Sequence, residues 1–209
     1  MTAQANLIST LGGKVVNDTD LNVTWLADAN YAKTSGYDSD GQMDWFQATG
    51  WIASLNAANY LGYHDWRLPT TLQPDASCQF QTTSLFGYGG IPSSHGYNCT
   101  GSEMGHLFYS EPDRPNVFIN FQAGNYWSST TWAADSLSAW DFNFGDGGYQ
   151  GPNEKIKDYR QSALAVRTGQ VAADPVTAPV TVPEPGTEWL LGMGLLGLVG
   201  MARRRLALR

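Results

Sequence analysis

The stretch VPEPGTEWLLGMGLLGLVGMARRRLALR, residues 182 to 209, sets the strongest limit on how this chain can fold. From Trp189 to Ala202 it carries no charge and is dominated by Leu, Gly and Met, and Arg203, Arg204 and Arg205 follow at once. A terminal apolar run closed by an arginine cluster fits a membrane better than a core, because the arginines supply the cytoplasmic flank of a positive-inside helix. At about 1.5 Å per helical residue the run reaches about 21 Å, a marginal crossing of a hydrocarbon layer about 30 Å thick. The expectation is a short transmembrane helix with its C-terminus inside and the rest of the chain outside.

The rest of the chain answers to different surroundings. Before Pro183 there are 8 Lys/Arg against 17 Asp/Glu, a net of -9, whereas the tail has 4 Arg against Glu184 and Glu188, a net of +2. Phosphate backbones and anionic headgroups would repel so acidic a body, which argues against nucleic acid as a partner. Its length suits one domain with a sizeable core. The expected organisation is a globular domain over residues 1 to 170 and an extended Pro/Ala/Val/Thr linker over 171 to 182. The tail would occupy 183 to 209.

Within the body, residues 12 to 18 and 21 to 28 read as two strands joined by a polar turn at Asp18, Thr19 and Asp20. Trp45, Ala48, Trp51, Ile52, Leu55 and Ala58 recur at steps of three and four. That spacing predicts the one long helix, capped by Asp44 and stopped at Gly62. Pro69 keeps the following DWRLPT extended, with Trp66 and Leu68 on one side. A shorter helix starts at Ser102, and strands are expected at 125 to 132, 140 to 144 and 162 to 166. Alternation in the middle strand puts Trp140, Phe142 and Phe144 on one face, opposite Asp141 and Asn143. Together these elements predict an α+β fold with short antiparallel strands, one long helix and long loops. A C-terminal hydrophobic helix follows.

Candidate chemistry is sparse. Cys78 and Cys99 are the only cysteines and lack any CxxC or CxxH spacing, so a disulfide is expected in an oxidising compartment. It would close a loop of roughly 20 residues, worth about 3 kcal/mol. Asp38, Asp40 and Asp44, with Gly41, resemble the opening of a calcium loop, but the further oxygen ligands of an EF-hand are missing, so a solvated turn before the helix is the first reading and calcium the alternative. Glu103 and His106 share a helical face, yet HExxH is absent and zinc would need distant partners. No G-x-S-x-G elbow or phosphate-binding glycine loop occurs. Tyr88, Tyr97 and Tyr149 lie in loops among small polar residues, where amphipathic rings can stack on sugars.

Two resemblances extend this reading. Val182-Pro183-Glu184-Pro185-Gly186-Thr187, the short Leu/Gly helix and Arg203 to Arg205 resemble the three-part PEP-CTERM sorting signal of bacterial exosortase substrates. That likeness implies export, transient inner-membrane anchoring with a cytoplasmic C-terminus, and processing near Pro183, Glu184 and Pro185. It also implies delivery to the cell surface or extracellular matrix. Exported chains need a basic and then apolar leader, which MTAQANLISTLGGKVV does not offer, so the leader is expected to have been lost from this start or trimmed.

DLNVTWLADANY (20 to 31), DWRLPT (65 to 70), GSEMGHLFY (101 to 109), YWSSTTW (126 to 132) and ALAVRTG (163 to 169) resemble the Lcl C-terminal-type domain, a family of unknown function. The resemblance implies a C-type-lectin-like fold, akin also to formylglycine-generating enzymes. The enzymatic branch continues RLPT into a helix, whereas Pro74 discourages one here. The expected function is therefore non-enzymatic, with glycan or exopolysaccharide as the ligand class. A purely structural or adhesive matrix role, or less readily an envelope hydrolase, stands as the alternative.

Overall fold

In the computed structural model, which describes residues 6 to 82, 91 to 112, 114 to 151 and 157 to 172, the hairpin forms where its pattern places it. Strands β2 (Val15–Asp18) and β3 (Val23–Leu26) pair antiparallel, with Asp18 opposite Val23. A further strand, β1 (Leu7–Thr10), joins β2 on its outer side. The other side of β3 receives β9 (Val166–Thr168), giving the order β1-β2-β3-β9. Two smaller sheets are β4 (Phe80–Thr82) with β5 (Ser93–His95), and β6 (Asn125–Thr131), β7 (Ala139–Asn143) and β8 (Tyr149–Gly151) in that order.

Helices are few and short. They are α1 (Tyr31–Thr34), α2 (Trp45–Ala57), a 3-10 turn at Tyr60–Gly62, α3 (Glu103–Tyr109) and α4 (Arg114–Val117). Among the described residues, nine strands in three antiparallel sheets, against one helix of 13 residues and fragments of at most 7, overturn the expected α+β, C-type-lectin-like plan built on a long helix. The physical reason is that helical periodicity runs only through residues 45 to 57, while Gly, Asn, Ser and Thr elsewhere favour turns and short extended pieces. Among the described residues no helix is long and apolar enough to cross a membrane. The chain divides into two units, Met1–Asp174 and Pro175–Arg209. The expected C-terminal hydrophobic helix, Pro183, Glu184, Pro185 and Arg203 to Arg205 lie outside the described residues.

The middle of the four-stranded sheet, β2 and β3, is covered on both faces. Val15 and Leu26 enter one hydrophobic cluster with Trp51, Trp66, Leu68 and Trp127. Their neighbours Val16, Val23 and Trp25 enter a second with Met104, Leu107, Tyr126 and Phe142. Successive strand residues point to opposite faces, so a strand between two cores is buried throughout. In β7 the expected opposite faces are both largely covered: Trp140, Asp141 and Phe142 are buried and Asn143 is half-buried.

Helix α2 covers the first cluster with Ala48, Trp51, Ile52 and Leu55. Asp44 caps it, accepting from the Gln47 N–H at 2.7 Å, while Gln47 accepts from the Asp44 N–H at 3.1 Å. The helix ends before Gly62, at the cap Ala58, after which Asn59 takes a left-handed conformation with φ 50°. Asn56 then clamps the backbone of Trp66 from both sides, donating to its carbonyl at 2.9 Å and accepting from its N–H at 2.8 Å. Val171 is buried and bonded to Asn17, so the body includes the first residue of the expected linker.

Cys78 and Cys99 form the expected disulfide. Buried Asp75 organises its loop by accepting from Ser77 and from the Gly101 N–H. Ser102 starts α3 without capping it, because its hydroxyl accepts from the Leu72 N–H at 3.0 Å instead. Gly105 is required by packing, since a Cβ there would lie 1.8 Å from the Cys99 carbonyl oxygen.

Candidate functional site

Helix α1 and the segment after α4 flank a pair of concavities in the described body. Asp28 meets Ile119 in a bridge, with Ala29 N–H donating to the Ile119 carbonyl and Ile119 N–H to that of Ala27, both at 2.9 Å. The Asp28 carboxylate accepts from the Asn30 N–H at 3.0 Å and from Asn120 Nδ2 at 3.1 Å. Asn30 is buried and its side chain lies over Gly41, where a Cβ would sit 1.8 Å from Asn30 Oδ1. These bonds hold two loops far apart in sequence as facing walls.

One cavity, of about 240 Å³, is lined by Lys14, Leu26, Asp28, Tyr31, Tyr60 and Ile119, with Gly13 at its edge. The Tyr31 and Tyr60 rings meet at 4.9 Å between centroids. Burial, then the Tyr31 hydroxyl and the Asp28 charge, raise the Tyr60 phenol well above its ordinary range, so it stays a neutral hydrogen-bonding group. A second cavity, of about 350 Å³, is lined by Asn30, Lys33, Thr34, Asp40, Asn120 and Gln122. Asp28 and Asn120, bonded to each other, belong one to each cavity, so the two lie side by side.

The lining combines two aromatic faces with amide, hydroxyl, lysine and carboxylate groups. Aromatic faces accept the apolar C–H side of a hydroxyl-rich molecule, and Asn, Gln and Thr groups exchange hydrogen bonds with its hydroxyls. Lys14 and Lys33 are equalled in number by Asp28 and Asp40. The lining contains no His, Cys or Ser.

The residues singled out by sequence fall elsewhere. Tyr97 and Tyr149 do come together, edge to face at 5.2 Å, but they line neither cavity. Gly147 packs beneath Tyr97, and the Tyr109 hydroxyl donates to the Gly147 and Gly148 carbonyls at 3.0 and 2.9 Å, which closes the turn. Tyr88 lies outside the described residues. Asp38 accepts from the Asp40 and Gly41 N–H groups, Arg160 reaches Asp38 at 3.6 Å and Asp40 at 3.0 Å, and Asp44 is committed to its helix cap. Glu103 and His106 diverge. Glu103 grips Arg67 with both oxygens, at 2.6 and 2.8 Å, and accepts from the Thr70 N–H, while His106 turns to Glu111 at 3.2 Å.

Sequence reasoning missed Tyr31 and Tyr60. The signal available was an aromatic residue directly after Asn at a helix boundary in both places, Asn30-Tyr31 and Asn59-Tyr60. Nothing in the pattern says that those boundaries meet.

Two family models match the chain. Residues 181 to 205 match the PEP-CTERM protein-sorting motif, which takes in Pro183, Glu184, Pro185 and Arg203 to Arg205. The motif marks an exported protein sorted by exosortase toward the cell surface. No curated protein and no solved structure matches the chain, so the lectin likeness has no structural relative behind it. Residues 14 to 167, from just before β2 into β9 and well over half of the sequence, match the Lcl C-terminal domain, and the chain belongs to that family.

Proposed function

We propose that the exported body is a non-enzymatic binding domain whose Tyr31–Tyr60 cleft holds a neutral glycan or similar polymer of the cell surface or extracellular matrix. One observation carries the reading: an aromatic pair lines a cavity that shares the Asp28–Asn120 bond with an all-polar cavity beside it. Apolar surface with a few fixed polar groups is how small-molecule sites combine affinity with orientation. Delivery fits the same picture, with residues 189 to 202 retaining the chain transiently in the inner membrane, the C-terminus cytoplasmic, until exosortase processes it near Pro183 to Pro185.

Glycan-array screening of the full chain, followed by calorimetry on any neutral saccharide that binds, tests the proposal. Tyr31→Ala or Tyr60→Ala is expected to weaken binding about tenfold, the worth of one lost aromatic contact. A blank array, or binding indifferent to both substitutions, transfers the function to a structural or adhesive matrix role without a discrete pocket. For delivery, deletion of residues 189 to 209 should release the protein from the membrane fraction; retention of the shortened chain would refute the anchoring step.

A further inference from the structure

Outside the cleft, Asp18, His106 and Glu111 bring a carboxylate oxygen each and one imidazole nitrogen within 4.8 Å of one another. They come from three places: the end of β2, the last turn of α3 and the residues just after it. We propose that this cluster is a binding site for a divalent transition-metal cation, with zinc as the reference ion, that ties the four-stranded sheet to α3.

Geometry supports it. Zinc ligands at about 2.0 to 2.1 Å in a tetrahedron are separated by about 3.3 Å. His106 Nε2 and Glu111 Oε1 already stand at 3.2 Å. Asp18 completes the set by a small side-chain adjustment. Its carboxylate accepts from the Leu21 N–H at 3.0 Å on one oxygen and Trp25 Nε1 at 3.4 Å on the other, which leaves each oxygen a lone pair for a further partner. Outer hydrogen bonds of this kind orient metal-binding carboxylates.

Charge supports it as well. Asp18 is fully buried and the Glu111 side chain nearly so, and two carboxylates so close in a low-dielectric interior repel unless a proton or a cation lies between them. Among the described residues no Lys or Arg supplies one. Arg114, the nearest in sequence, donates to the Leu107 carbonyl and lies against Phe108, Phe121 and Phe144. With a neutral imidazole the three ligands carry a net charge of about two negative units, which a divalent ion balances. The imidazole disfavours calcium, which takes oxygen ligands alone. The His106 side chain keeps 15 % of its exposure, which leaves a route in for the ion.

The test is calorimetric titration of Zn²⁺ into the full chain after EDTA treatment, repeated on His106→Asn and Glu111→Gln, with Co²⁺ absorption as a second readout. One-to-one binding is expected in the parent, at least about tenfold weaker in each variant. Co²⁺ should give visible d–d bands in the parent that vanish in His106→Asn. Should Glu111→Gln fail to fold, Asp18→Asn and His106→Asn carry the comparison. Absence of Zn²⁺ binding by the parent, or equal affinity in the parent and His106→Asn, overturns the proposal; equal affinity would place the metal on surface carboxylates.

Discussion

Tyr31 and Tyr60 meet at 4.9 Å between ring centroids and Tyr97 and Tyr149 at 5.2 Å, yet the first pair lines a cavity and the second closes a turn. What separates them is the backbone around the rings. Asp28 and Asn120 prop the walls of the first site apart. At the second, Gly147 brings the chain up to Tyr97 and the Tyr109 hydroxyl pins the Gly147 and Gly148 carbonyls. Ring proximity alone is not a binding site; a polar frame that prevents collapse is also needed.

The contrast breaks first where packing is tightest. Gly105→Ala is expected to cost about 3 kcal/mol or more, because its Cβ would meet the Cys99 carbonyl, a backbone atom tied to the disulfide. Chemical denaturation measures this, and a loss below 1 kcal/mol would mean that the closed half is looser than it looks.

Exchanging the tyrosines comes next. Tyr149→Ala should lower stability by about 1 to 3 kcal/mol and leave saccharide binding intact, since the ring is half-buried against Tyr97. Tyr31→Ala should cost a similar amount of stability, because its ring packs on the first cluster, and should weaken saccharide binding as well. A Tyr149 variant that unfolds normally yet no longer binds would exchange the two roles.

The smallest expected effect is on pH. His95, stacked on Phe80 at 5.4 Å with a buried Nδ1 that lacks a hydrogen-bond partner, has its pKa depressed by burial below the ordinary 6.5. A depressed folded pKa means that the unfolded chain takes up the proton first, so stability should fall as pH drops below about 6.5. Thermal midpoints from pH 8 to 5 test this, with His95→Gln expected to flatten the slope. The raised Tyr60 phenol stays neutral across that window, so its own ionisation should add no pH dependence to ligand binding.

Long periodic elements were legible. The β2–β3 hairpin, α2 with its Asp44 cap, β6 and β7 all follow from local pattern. The strands β1, β4, β5 and β8 were not, because three or four residues such as Phe-Gln-Thr, Ser-Ser-His or Tyr-Gln-Gly show no alternation long enough to read. The strand expected at 162 to 166 begins only at Val166, since the preceding residues make single bridges to Met43 and Tyr126 instead of a ladder. Asp18 looked like an ordinary polar turn residue, yet it is fully buried beside His106 and Glu111.

By itself the sequence determined the split between an acidic body and a sorting tail, the pairing of its only two cysteines, and the caps and faces of its longer elements. Each depends on composition or on neighbours within one helix or strand, where geometry is set by the backbone period. The tertiary structure alone decided that β7 is buried on both faces, that Tyr31 meets Tyr60 over a cavity, and that Asp18 reaches His106 and Glu111. Those contacts join segments distant along the chain, and no local period encodes which of them will meet once the two cores close.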